Sequence, residues 1–311
     1  MAFVVIKGGI LTTVQDAGRW GYQGRGVPVA GPMDPYAHRL GNALVGNDRH
    51  AATLEITLLG PELEFASERV VAITGGQFTV TLDAKPAPSN AAFVAAAGAR
   101  LRFGPRLQGA RAYLAIEGGI DVPRVLGSRS THVISGLGGF AGRAVRAGDT
   151  VPLGPRLAAR PSVAVPPDIV LPLPAREATV RILPGPQVDL FAADAVQTLQ
   201  SAPYVIGPNS DRMGFRLSGP KLNHASGADI VSDATPLGAL QVPASGQPIL
   251  LMADRPTTGG YPKIATVITA DLPVAAQLAP GDEILFACCS PHDALAALIA
   301  QERALLRLES A

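Results

Sequence analysis

Six prolines, Pro155, Pro161, Pro166, Pro167, Pro172 and Pro174, crowd one stretch near the middle of the chain. Proline has no amide hydrogen and a fixed φ, so this stretch cannot run through a sheet centre or a helix interior. A chain of 311 residues is long enough for two domains. The expected organisation is therefore an N-terminal domain over 1–154, a Pro-rich linker over 155–175 and a C-terminal domain over 176–311.

The halves on either side share an ordered set of signals. IKGGI at 6–10 matches ILPGP at 182–186, and LLGPEL at 58–63 matches LSGPKL at 217–222. YLAIEGGIDVP at 113–123 matches LLMADRPTTGGYP at 250–262, and RAGDTVPL at 146–153 matches APGDEILF at 279–286. With 34 glycines, 28 prolines and 47% hydrophobic residues, the chain reads as many short strands joined by turns. The expectation is a mainly β protein, a duplicated domain in which each copy closes its sheet into a barrel and so hides its edges.

Helices are expected in three places. Asp34 as N-cap, Pro35 at the first helical position and Gly46 as a stop mark one over 32–46. A second is expected over 186–200. A third, over 290–308, starts at Ser290–Pro291, and its leucines and alanines fit a helix packed on a barrel.

Several function classes find no support. A net charge of +1, without Lys/Arg runs, gives no electrostatic case for nucleic acid or an anionic membrane. No apolar run reaches the length of a bilayer span, and no signal peptide is read at the start. Cys288 and Cys289 are adjacent in an expected strand and point to opposite faces, so they read as reduced thiols suited to a cytoplasmic location. GFRLSGPK at 214–221 has proline where a phosphate-binding loop needs lysine. GLGGFAG at 136–142 has no following helix and no acid about 20 residues on, so its glycines are read as tight turns. The five histidines have no metal-ligand spacing. A biotin-carrier signature is missing, so no covalent biotin is expected on this chain.

Polar chemistry is concentrated beside glycine turns. TTVQDAGRWGYQGRGVP carries Gln15, Asp16, Arg19 and Tyr22. NSDRMGFR carries Asn209, Ser210, Asp211, Arg212 and Arg216, and GALQVP carries Gln241. ADRPTTGGYPK carries Asp254, Arg255, Thr257, Thr258, Gly259, Gly260, Tyr261 and Lys263. Taken singly, each segment also reads as a local ion pair and turn. Together, SDR and ADR each place an arginine after an aspartate, and a guanidinium fork suits a carboxylate or phosphate. TTGG offers hydroxyls and amides in the manner of an anion-binding nest, and Lys263 adds a point charge. On the helix at 32–46, His38, Arg39 and Asn42 lie on adjacent turns, read as its polar face.

The ordered blocks TTVQDAGRWGYQGRGVPVAGPMDPYAHRLGNALVGN, GGIDVPRVLGSRST, GLGGFAGR, SDRMGFRLSGP and ADRPTTGGYPKIATVI resemble the biotin-dependent carboxyltransferase-like family over nearly the whole chain. That family includes the C-type subunit of 5-oxoprolinase, allophanate hydrolase subunit 2, the regulatory protein KipA and the second half of the urea carboxylase carboxyltransferase domain. The resemblance implies two tandem cyclophilin-like β-barrels. It implies work with a KipI-like B-type subunit and an A-type subunit, together converting 5-oxoproline to glutamate with ATP and Mg. Phosphorylation of the lactam oxygen would supply the electrophile. Arg212, Arg255 and Lys263 would then be catalytic, holding a carboxylate, a phosphate or developing charge, with Asp211, Gln241, Asp254, Thr257, Thr258, Gly259, Gly260, Tyr261, Gln15, Asp16 and Arg19 binding substrate. A carboxyltransferase role toward urea or a related amide, and a KipA-like regulatory role, are the alternatives. Pro256 departs from a polar residue in the family pattern, leaving only its backbone for any role.

Overall fold

The computed structural model describes residues 1–157 and 165–309. Pro161 and the rest of 158–164 in the expected linker lie outside the described residues. Contacts divide the chain into two units, one formed by Met1–Arg19, Ala30–Leu173 and Glu302–Ala311, the other by Trp20–Val29 and Pro174–Gln301.

The first unit is a nine-stranded sheet built around two long strands, Arg69–Leu82 and Arg100–Ile116. The second long strand pairs with Thr53–Thr57 through its C-terminal half (Leu54 opposite Leu114) and with Glu62–Phe65 through its N-terminal half (Leu63 opposite Leu101). Burial alternates along Ala2–Lys7 and Glu62–Phe65, which face Phe3, Val5, Leu63 and Phe65 into the core. Thr53–Thr57 is buried at every position, and helix Pro35–Leu44 packs against it and the two long strands.

The mainly β, two-sheet architecture forms as expected, with this first sheet a half-barrel rather than a closed one. Its ladder ends at Leu11–Gln15 on one side and Thr150–Pro152 on the other. Irregular chain covers the first of these edges, with Thr131 N donating to Val14 O and Val145 N to Thr12 O, each at 2.9 Å. The edge is thus hidden by a loop rather than by a strand.

The second unit closes completely. Around the barrel run Glu177–Pro184, Lys263–Val267, Ala239–Gln241, Ile249–Leu251, Gly214–Ser218, Tyr204–Ile206 and Glu283–Cys288. The last strand returns to the first in parallel, Glu177 opposite Glu283 through Ile182 opposite Cys288, and the other pairings are antiparallel. Val180, Ile182, Phe215, Leu240, Leu250, Ile264 and Ile284 are buried along these strands. A separate two-stranded sheet joins Asp233–Ala234 to Thr258–Gly259.

The helix over Pro35–Leu44 forms as expected, with the Asp34 carboxylate accepting from Ala37 N at 2.8 Å. The C-terminal helix, Pro291–Glu309, starts with a capping box in which Ser290 Oγ accepts from Asp293 N and the Asp293 carboxylate accepts from Ser290 N. Its last turns bury Ala304, Leu305 and Leu308 with Tyr36, Leu40 and Ile169. There Arg39 forks across Glu302 and Glu309 at 2.8 and 2.6 Å, so it holds the helix end. The helix expected over 186–200 shrinks to Ala195–Leu199 after a 3-10 turn at Val188–Leu190. Phe191 is extended there and bridges to His224, which interrupts the helical run. The described part of the Pro-rich stretch holds one 3-10 turn, Pro167–Ile169.

Candidate functional site in the closed barrel

Strands Gly214–Ser218 and Ile249–Leu251 are antiparallel with Gly214 opposite Leu251, and the pairing continues past their ends. Met252 N donates to Met213 O and Asp254 N to Arg212 O. The SDR and ADR motifs are therefore neighbours across two strands. Their pairing crosses the sequence order. Arg212 donates from Nε and Nη2 to the two carboxylate oxygens of Asp254 at 3.0 and 2.9 Å, and both side chains are buried. Asp211 instead closes a turn, its Oδ1 accepting from Met213 N at 2.8 Å.

Arg255 is held differently. Its Nε donates to Thr235 O at 2.8 Å, and its Nη atoms have no hydrogen-bond partner among the described residues. Burial lowers its pKa, opposed by the nearby charge of Asp254, but a guanidinium stays protonated. It borders a cavity of about 370 Å³ walled by Val29, Ala234, Thr235, Pro236, Pro256 and Thr257, with Gln23 at the edge. The Thr235 hydroxyl donates to Pro256 O and so stiffens one wall. Gln23 accepts from Gly21 N through Oε1 at 2.8 Å, which leaves its amide hydrogens for a ligand.

The rest of ADRPTTGGYPK lies beside this cavity in sequence but is organised as a hairpin partner. Gly259 and Gly260 keep negative or extended φ, and Thr258–Gly259 pairs with Asp233–Ala234. This corrects the expectation of a nest at TTGG, which requires a left-handed residue. Glycine at 259 is explained by close approach, since a Cβ there would lie 2.5 Å from the Gln241 amide nitrogen. Gln241 itself is buried and donates to Tyr261 O at 3.3 Å. Lys263 is buried, with Nζ 2.8 Å from Asp233. That contact lowers the pKa of Asp233, aided by the Ala234 amide and Gln187. Tyr261 is exposed, and Pro256 contributes its carbonyl alone.

Gln15, Asp16 and Arg19 belong to the first unit and hydrogen-bond to other residues of that unit. Gln15 donates to Thr13 Oγ1 and Thr131 O. Asp16 accepts from Ser128, Ser130 and the Arg129 and Gly18 amides. Burial pushes the Asp16 carboxyl up, but these donors outweigh it and the pKa falls below the usual value. Arg19 donates to Val125 O and Ser130 O. The three tie the end of strand Leu11–Gln15 to the loop at 125–131. Arg212 is engaged by the Asp254 carboxylate.

Two polar cavity residues, Gln23 and Thr235, were missed from the sequence, as were the apolar Val29, Ala234 and Pro236. Gln23 stands in a quoted motif but in the first half, and only the fold brings Trp20–Val29 into the second unit. Thr235 shows no motif at all.

One guanidinium, two apolar walls, an amide and a few carbonyls suit a small monoanion such as a carboxylate. They do not suit a magnesium nucleotide, whose phosphates need several cations and whose metal needs oxygen ligands. Among the described residues, no group of three or more His, Cys, Asp or Glu is placed to hold a metal ion.

The fold of this unit is a closed β-barrel with a small, partly polar cavity beside it. The model of the carboxyltransferase domain, subdomain A and B, matches residues 25–288. The chain is 39% identical to the C-type subunit of 5-oxoprolinase from Escherichia coli (strain K12) over 299 residues, 96% of this chain and 95% of that protein. It is 38% identical to urea amidolyase of Lachancea kluyveri over 332 residues, covering 99% of this chain and 18% of that protein. The solved structure of the K. lactis urea amidolyase superposes with a TM-score of 0.93 at 34% identity, over 99% of this chain and 20% of that one. The chain belongs to the carboxyltransferase-domain family. No helix among the described residues is long and apolar enough to cross a membrane.

Proposed function

We propose that the chain is the C-type subunit of an ATP-dependent 5-oxoprolinase, acting with B- and A-type subunits to open 5-oxoproline to L-glutamate. The observation that carries this reading is Arg255, a mostly buried cation whose Nη atoms have no protein partner among the described residues and which borders a cavity of small-molecule size. 5-Oxoproline presents one carboxylate, one lactam and an apolar ring edge. The carboxylate fits the Arg255 fork, Val29 and Pro236 receive the ring, and the Gln23 amide faces a carbonyl oxygen. The 39% identity to the E. coli protein, over 95% of that protein, supports this assignment.

Amide resonance makes the lactam resistant to water, and a site that fixes the carboxylate holds the ring in one orientation for attack. The nucleotide and its magnesium are assigned to the assembled complex, not to this cavity. A carboxyltransferase role toward urea or a related amide is the second reading, favoured by the TM-score of 0.93 to the urea amidolyase region.

The test mixes this chain with its B- and A-type partners, ATP and 5-oxoproline and measures glutamate. Formation of glutamate only when all three chains are present supports the proposal. A complex that assembles and forms none overturns it.

A further inference from the structure

Among the described residues, Lys263 is the most buried cation of the second unit, 1% exposed. An ammonium so deep in protein requires a counter-charge. That charge does not come from the barrel wall. It comes from Asp233, which is 48% exposed and lies on residues 226–236, between barrel strands Gly214–Ser218 and Ala239–Gln241. Most of this segment faces solvent, with Val231 at 93% exposure.

The attachments of the segment converge on the ADRPTTGGYPK motif. Ile230 N donates to Gly260 O at 2.8 Å and Thr235 N to Thr257 O at 3.2 Å. Asp233–Ala234 pairs with Thr258–Gly259. Gln187 donates to Asp233 at 3.2 Å and accepts from Lys263 N. The residues that follow Asp233 wall the Arg255 cavity, and Arg255 Nε holds Thr235 O. One short segment therefore both neutralises Lys263 and forms a side of the cavity.

We propose that residues 226–236 are a displaceable latch, and that the Asp233 carboxylate is an internal occupant of an oxyanion subsite centred on Lys263 Nζ. The ligand of that subsite is a carboxylate or phosphate oxygen. On its arrival Nζ exchanges one anionic partner for another, so the buried charge is never left alone. Asp233 is already half in water and returns to it at small cost. Ala225 N bonded to Leu190 O and Thr235 O held by Arg255 fix the two ends, so the segment swings without leaving. The inference rests on reading the cavity as a small-anion site, but not on which anion is the substrate.

Hydrogen exchange on the full chain tests it, with the Ile230 and Thr235 amides as reporters. Asp233→Asn is expected to speed exchange at both amides by tenfold or more while barrel amides such as Leu217 and Val267 stay protected. The same variant is expected to bind inorganic phosphate or 5-oxoproline about tenfold more tightly by calorimetry. Asp233→Glu, which keeps the charge, is expected to restore wild-type behaviour. In the wild type, the oxyanion that enters the subsite speeds the same two amides, and separate titrations with phosphate and with 5-oxoproline tell the sources apart. Unchanged reporter exchange in Asp233→Asn, or faster exchange spread over the barrel strands, overturns the latch. Equal 5-oxoproline affinity in wild type and Asp233→Asn, with silent reporters, removes the latch and leaves the proposed function standing. Tighter phosphate binding with no 5-oxoproline binding in either protein keeps the latch and removes that substrate.

Discussion

Arg212 and Asp254 face each other across two antiparallel strands in a buried two-point ion pair, at 3.0 and 2.9 Å. By hydrogen bond, each residue is the other's bidentate partner rather than a partner of its neighbour in the SDR or ADR motif. A buried pair of this kind is a weak net stabiliser, yet breaking it from one side strands a charge. Asp254→Asn is expected to destabilise the chain by about 3–5 kcal/mol and to lower its melting temperature by on the order of 10 °C. Replacing both partners, Arg212→Met with Asp254→Leu, is expected to recover most of that loss. Calorimetric melting of Arg212→Met, Asp254→Leu and the double variant checks this, and additive losses would refute the pairing.

Arg255 predicts the opposite balance. Its guanidinium makes one hydrogen bond to the chain and otherwise borders the cavity. Arg255→Ala is expected to leave melting within a few degrees of the wild type, and complex assembly intact. It is expected to lower kcat/KM for 5-oxoproline by about 100-fold, the worth of a lost charge-assisted fork. Arg255→Lys keeps the charge without the fork and is expected to fall between the two. Steady-state kinetics of the reconstituted complex decide it, and wild-type rates for Arg255→Ala would remove the site.

The contrast between these two arginines shows what a sequence can carry. Caps and turns are local, so Asp34 at one helix start and Ser290 at another marked their elements correctly. The mainly β character was legible in the turn residues, since most strands are short spans between them, Arg69–Leu82 and Arg100–Ile116 apart. Partnership was not legible. SDR and ADR look alike, but strand register sends Arg212 to Asp254 and leaves Arg255 to a backbone carbonyl. Gln15, Asp16 and Arg19 share a polar, Gly-rich motif with Gln23, yet the first three are internal ties of one unit and Gln23 lies at the cavity of the other. The break falls at the boundary between Arg19 and Trp20, which only long-range contacts define.

Glycine 139 tests the turn reading of GLGGFAG. Its φ is +55°, and a Cβ there would collide with the Thr131 side chain, while one on Gly142 would collide with Gly136 O. Gly139→Ala is expected to cost at least about 2 kcal/mol, from left-handed strain plus overlap. Urea unfolding measures it, and an unchanged midpoint would show that the loop yields freely.

His38 predicts an acid sensitivity whose sign follows from burial. The ring is enclosed, with Nδ1 2.9 Å from Thr53 Oγ1 and the Tyr113 ring edge-on at 6.3 Å. Burial pulls its pKa down to about 4, only partly offset by Asp16 and Glu55. The unfolded chain takes up this proton near pH 6.5 and the folded chain only near 4, so between those values the unfolded state holds more protons. Stability from this group is therefore intact above about pH 6.5, declines as pH falls and levels off near 4, a total of about 3 kcal/mol. His38→Gln keeps a polar side chain for Thr53 without a titrating ring, and its stability is expected to fall less steeply than that of the wild type over the same interval. Denaturant unfolding at pH 7, 6, 5 and 4 gives both slopes. Parallel curves would mean that the ring charges in the folded state as readily as in the unfolded one, and that its enclosure by Thr53, Asn42 and Tyr113 opens in solution.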